Sequence, residues 1–184
     1  ETDTRTLDRF NLPAKKTADL DFNSPKVKAF IKTLKDKKIA LDPTLATFAF
    51  LKQKDGDINE PFVTIASHMP PDVSRGFAVG TMKIENDAAL KQHEKSYAKM
   101  VEFVGRVYKE GVPIVAGTDE LAGFTLHSEL AMLVKAGLSP AQALQVATKN
   151  GAIYTRTEAD RGSIKVGKLA DLVLVDGDPT KNIE

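Results

Sequence analysis

The stretch Gly111-Val-Pro-Ile-Val-Ala-Gly-Thr-Asp119 decides how the rest of the chain is read. Residues 112–116 form an apolar run of strand length, and it leads through Gly117 and Thr118 to a carboxylate at its C-terminal end. Just upstream, Tyr97, Met100, Val101, Val104 and Tyr108 recur at helical spacing, with Asp87 as cap and Gly111 as stop. Further back, Ile39-Ala-Leu-Asp-Pro-Thr-Leu45 is a second buried-strand pattern. It follows a helix that Ser24 caps and Pro25 opens, with Val27, Phe30, Ile31 and Leu34 on one face. Helix, strand, excursion, helix, strand is the alternation of an α/β fold with a parallel sheet.

Working outward, residues 1–23 are polar and broken and read as a loop into the domain. Residues 52–86 carry the turn formers, among them Asp55-Gly56-Asp57, Pro61, Pro70-Pro71 and Gly76, and predict a long irregular excursion. After Asp119, Thr125 is positioned to cap a helix with Leu126, Leu130, Leu133 and Val134 inward, ended by Gly137. Ser139-Pro-Ala-Gln142 is a capping box for the next helix. Past Asn150-Gly151 the pattern changes, and residues 162–166 and 172–175 read as two short strands closed by the Asp176-Gly-Asp-Pro179 turn.

Composition narrows the function classes. An apolar share of 42% with 28% charged residues describes an ordinary globular chain, and 184 residues suffice for one core. The net charge of +1 gives no field that would draw the chain to nucleic acid or to an anionic membrane. No apolar run approaches the ~18 residues of a membrane span. With no Cys and three His, any metal site must be built from His and carboxylates. The chain opens at Glu1 rather than Met, so a further N-terminal segment is expected and localisation is not readable from this end.

Three ordered blocks then carry a family likeness: GVPIVAGTD at 111–119, LHSELAMLVKAGLSPAQALQVATKNGA at 126–152, and GSIKVGKLADLVLVDGDP at 162–179. Together they resemble the end of the amidohydrolase superfamily, and within it the imidazolonepropionase-like and Xaa-Pro-dipeptidase-like members. The likeness is dense over the last 70 or so residues. It thins toward LDPTLATF at 41–48 and DTRTLDRF at 3–10. It implies a partial (β/α)8 TIM barrel, its last strands and helices in residues 1–152. Residues 153–184 would add strands to a small flanking β-sandwich domain.

The resemblance also implies a metal-dependent hydrolase of carbon–nitrogen bonds, in which a divalent ion, Zn2+ by family habit, sits at the barrel mouth. Of the family's ligand positions only the carboxylate after the last strand is present, at Asp119. No His-x-His occurs, and His68, His93 and His127 match none of the other ligand positions. The isolated chain is therefore expected to hold no ion tightly and to be inactive. Its expected partners are a small-molecule or dipeptide-like substrate and either a second copy or a missing N-terminal part. Asp119 is the expected catalytic and metal-binding residue, with capping of the next helix as its competing role. His127 is a substrate contact or else a His packed beside Leu130 and Val134. His68 reads as a loop His and His93 as a solvated helix-face His. A superfamily deaminase, or a non-catalytic binding module on the same scaffold, remain as alternatives.

Overall fold

Ser24 accepts the Val27 amide and Pro25 fills the first helical position, so helix α2 (Pro25–Asp36) begins where its cap chemistry puts it. The computed structural model describes residues 5–121 and 123–184, and among these the chain is a helical assembly. The elements are α1 (Asp8–Lys16), α2, α3 (Pro71–Gly76), α4 (Asp87–Lys109), α5 (Phe124–Lys135), α6 (Pro140–Gln145) and α7 (Gly151–Tyr154). Short 3-10 turns fill the excursion between residues 47 and 68. Among the described residues, no helix is long and apolar enough to cross a membrane.

The core is organised along α4, which at 23 residues is about 35 Å long. Tyr97, Val101 and Val104 lie on its buried stripe and meet Leu45, Ile114, Leu130, Leu133, Ala143 and Val146. A second cluster joins Val107 and Val112 to Val27, Ile31 and Leu34 of α2. Gly105 lets α4 approach the end of α5, because a Cβ there would overlap the Ala136 carbonyl oxygen.

Several local expectations are corrected. The opening stretch is not a loop: α1 forms within it, and buries Ala14 beside Leu51 and Met82. Phe10 of α1 stands edge-on to Phe50 at 5.1 Å, so tertiary packing stabilises a helix whose polar sequence hides it. Asn86, not Asp87, caps α4 by accepting the Ala89 amide at 2.9 Å. Gly123 precedes α5, and Thr125 instead donates its hydroxyl to the Leu121 carbonyl at 2.9 Å. Phe30 is exposed, with its ring stacked on Phe103. The chain does not leave its helix at Asn150: α6 runs through a π turn (Val146–Asn150) into α7. The capping box at Ser139 and Gln142 forms as expected.

The larger correction concerns fold class. A partial barrel with sandwich strands requires sheets, and among the described residues no β-strand is formed. What these residues do form is one parallel bridge, between Leu41 and Ile114, the described residues showing no other. In it the Leu41 amide donates to the Pro113 carbonyl at 2.9 Å and the Val115 amide to the Leu41 carbonyl at 3.0 Å. The chemistry around the bridge explains why it stops. Pro43 and Pro113 have no N–H to offer, and Thr44 takes a positive φ of 43° that turns the chain away. A parallel pair is also weak without neighbours on its edges and cover on its faces. The C-terminal run shows the same shortage. Ile164, Val166, Leu172, Val173, Leu174 and Val175 are all exposed, and no backbone hydrogen bond engages residues 172–175 among the described residues.

Candidate active site

The bridge carries residue 114 into the core and delivers residues 117–120 to the surface. Two side chains from the earlier segment hold this turn. Asp42 Oδ1 accepts the Gly117 amide at 2.8 Å, and the Thr47 hydroxyl donates to the Thr118 carbonyl. Gly117 is needed for the first contact, since a Cβ there would overlap both Asp42 carboxylate oxygens. On the inner side, Asn150 Nδ2 donates to the Ile114 carbonyl at 2.9 Å, so the π turn satisfies a group that a neighbouring strand would otherwise pair.

Asp119 follows with φ +49°, a left-handed conformation that Asp and Asn tolerate better than other side chains. It is exposed, and it is not the cap of α5, which begins after Gly123. Glu120 lies beside it. Desolvation, and then the Asp119 charge, hold the Glu120 carboxyl above its ordinary range. Sequence reasoning passed over Glu120, although adjacent acidic residues were the available signal.

His127 is exposed on the first turn of α5, and no hydrogen bond or ion pair engages it among the described residues. His68 is exposed in the 3-10 turn Ala66–His68, with its ring near the Ser67 hydroxyl. The expectation for His93 is corrected. It is 3% exposed, and its Nδ1–H donates to the Leu51 carbonyl at 2.8 Å, tying α4 to the 3-10 turn Thr47–Lys52. Its neighbours Lys91, Glu94 and Lys95 suggested a wet face, but position 93 falls on the same stripe as Tyr97 and Val101.

The sequence also gave no reason to single out Glu129. This residue is fully buried in α5, and its Oε2 accepts the Ala46 amide at 2.7 Å. Desolvation pushes its carboxyl up to about 7, against the Ala46 and Leu45 amides that favour the charged form, and the Asp42 charge adds to the rise. Tyr97 grips the same backbone from α4, its hydroxyl donating to the Leu45 carbonyl at 2.9 Å. Burial, followed by the Glu60 and Glu129 charges, holds its phenol well above the usual range.

A groove of about 700 Å3 runs elsewhere, along α4 between Phe22, Lys52, Tyr97, Arg106 and Lys135, and neither Asp119 nor His127 lines it. No group of three or more His, Asp or Glu side chains placed to hold a metal ion is found among the described residues. A Zn2+ site takes about four donors. The exposed Asp119 offers one carboxylate, so the donors described do not by themselves fit a complete centre.

Comparison with known proteins decides the family. The amidohydrolase family profile matches residues 28–184. The chain belongs to the amidohydrolase family. No curated protein matches it. Among solved structures, a Xaa-Pro dipeptidase crystallised with methionine in its active site is similar in fold, with a TM-score of 0.58 and 21% identity. The likeness covers 88% of this chain and 34% of that one, so this amidohydrolase chain spans about a third of that dipeptidase's length.

Proposed function

We propose that this chain is the C-terminal part of an amidohydrolase that cleaves a carbon–nitrogen bond, and that Asp119 is the acid–base carboxylate it contributes. The observation that carries the reading is the placement of Asp119. It is an exposed carboxylate on a turn braced by Asp42 and Thr47, in a chain whose family match includes that turn. On this reading Asp119 takes a proton from the water that attacks the carbonyl carbon. It returns that proton to the nitrogen as the C–N bond breaks, leaving a carboxylic acid and an amine. His127, exposed on the neighbouring first turn of α5, is the proposed substrate contact. A metal ion is part of the family's chemistry, but the described residues bring no group of donors together for one, and no step is routed through it.

The similar solved structure favours a dipeptide with a proline second residue as substrate, among amides, acyl-amino acids, dipeptides and cyclic amides. The exposed apolar side chains between residues 164 and 175 support association with another part of the same protein or with a second copy.

The test is Asp119→Asn in the full-length protein, assayed on Met-Pro, an N-acetyl amino acid and a cyclic amide, with release of amine or acid followed. Asn keeps the left-handed backbone, so the melting temperature should hold while kcat on the best substrate falls ~10²–10⁴-fold. A fully active variant would remove Asp119 from the chemistry. A wild-type protein that cleaves none of the probes would overturn hydrolysis of an amide-type C–N bond, and one that releases only ammonia from amino-substituted rings would replace it with deamination.

A further inference from the structure

The route from Glu129 to the exposed carboxylate is continuous. Oε2 of Glu129 accepts the Ala46 amide at 2.7 Å, the next residue, Thr47, donates its hydroxyl to the Thr118 carbonyl, and Asp119 follows. We propose that Glu129 is a positioning residue for Asp119, its buried carboxylate holding the backbone at Leu45 and Ala46 so that Thr47 in turn fixes the Thr118–Asp119 turn. The inference rests on the reading of Asp119 as the acid–base group.

Two observations argue that Glu129 does more than fill the core. It is fully buried beside Leu45, Leu130 and Leu133, where an apolar side chain of its size would avoid the loss of hydration. Its Oε1 is buried with no hydrogen-bond partner among the described residues, a further cost that packing alone does not require. What the carboxylate adds is a grip on a backbone that has just left its one-residue bridge. Pro43 and the positive φ of Thr44 end the ladder there, so no strand partner holds residues 45–47. Glu129 from α5 and Tyr97 from α4 hold this bend from two sides. Thr47 and Asp42 then pass its position to residues 117 and 118.

The experiment combines hydrogen–deuterium exchange with kinetics, in the full-length protein on its best substrate among the three probes named above. Glu129→Ala should speed amide exchange over residues 115–119 and lower kcat about 10- to 100-fold with KM little changed, because a small displacement of a reacting group costs rate rather than binding. Glu129→Gln keeps an acceptor for the Ala46 amide and should retain the slow exchange and most of kcat. Thr47→Val removes the second contact and should reproduce the effect. The Glu129→Ala/Thr47→Val pair should be no worse than the more severe single change, since both act along one route. A Glu129→Ala protein with lowered stability but unchanged exchange at 115–119 and unchanged kcat would overturn the proposal. If Glu129→Ala does not fold, Thr47→Val decides it: unchanged exchange and turnover would overturn the route. An active Asp119→Asn enzyme defeats the reading of Asp119 instead, and the exchange data distinguish the two failures.

Discussion

Glu129 Oε2 and the Ala46 amide lie 2.7 Å apart, joining α5 to a segment 83 residues earlier in the chain. The pair sits where the folded state is least protein-like in the ordinary sense: an ionisable group, wholly inside, on one hydrogen-bonded oxygen. Its consequences for stability are separable from its role toward Asp119.

The Glu129 carboxyl titrates at about 7 in the folded chain against 4.5 for an ordinary Glu, chiefly through desolvation. A raised folded pKa means that the native state binds the extra proton. Its stabilising contribution is therefore full below about pH 4.5 and is lost as pH rises through about 7. The loss is on the order of 3 kcal/mol. Urea titrations between pH 4.5 and 8 should show wild type declining relative to Glu129→Gln across this window. Parallel curves for the two proteins would mean that Glu129 is not the titrating group.

Gly117→Ala places a Cβ on the Asp42 carboxylate and should displace the 2.8 Å bond to the Gly117 amide. Overpacking of this kind costs about 1–3 kcal/mol. Adding Asp42→Ala removes the obstructing group, so the double variant should lose less than the two single losses added together. Denaturation midpoints of all four proteins give the answer. Strict additivity would show that the two residues do not meet.

His93→Phe keeps a ring in the core but strands the Leu51 carbonyl that Nδ1–H now satisfies. An unsatisfied buried acceptor costs about 1–3 kcal/mol. Stability should fall by that amount while kcat stays at the wild-type value, as expected of a packing His. Loss of turnover without loss of stability would assign it a chemical role.

Much was legible from local chemistry alone. The Ser24 and Ser139 caps, the prolines after them and the apolar stripe of α4 are specified by residues within a turn or two of one another. The carboxylate that ends residues 111–119 was likewise visible as a motif. The sheet was not decided locally. A strand pattern states which backbone could pair, whereas pairing needs a partner with free N–H groups, and here Leu41 and Ile114 meet for one residue only. α1 went unread for the converse reason, because its support comes from Phe48, Phe50 and Leu51 far along the chain. Glu129 was passed over and His93 was placed on a wet face because polar residue types predict solvent unless a distant backbone group awaits them. By itself, then, the sequence determined the family likeness, the helices that Ser24 and Ser139 cap and the candidate carboxylate as a motif, all of which depend on short-range geometry and residue identity. Tertiary structure alone decided which polar groups lie inside, which backbone they hold, and where the parallel pairing ends, because those depend on contacts 36 to 83 residues apart that no local pattern encodes.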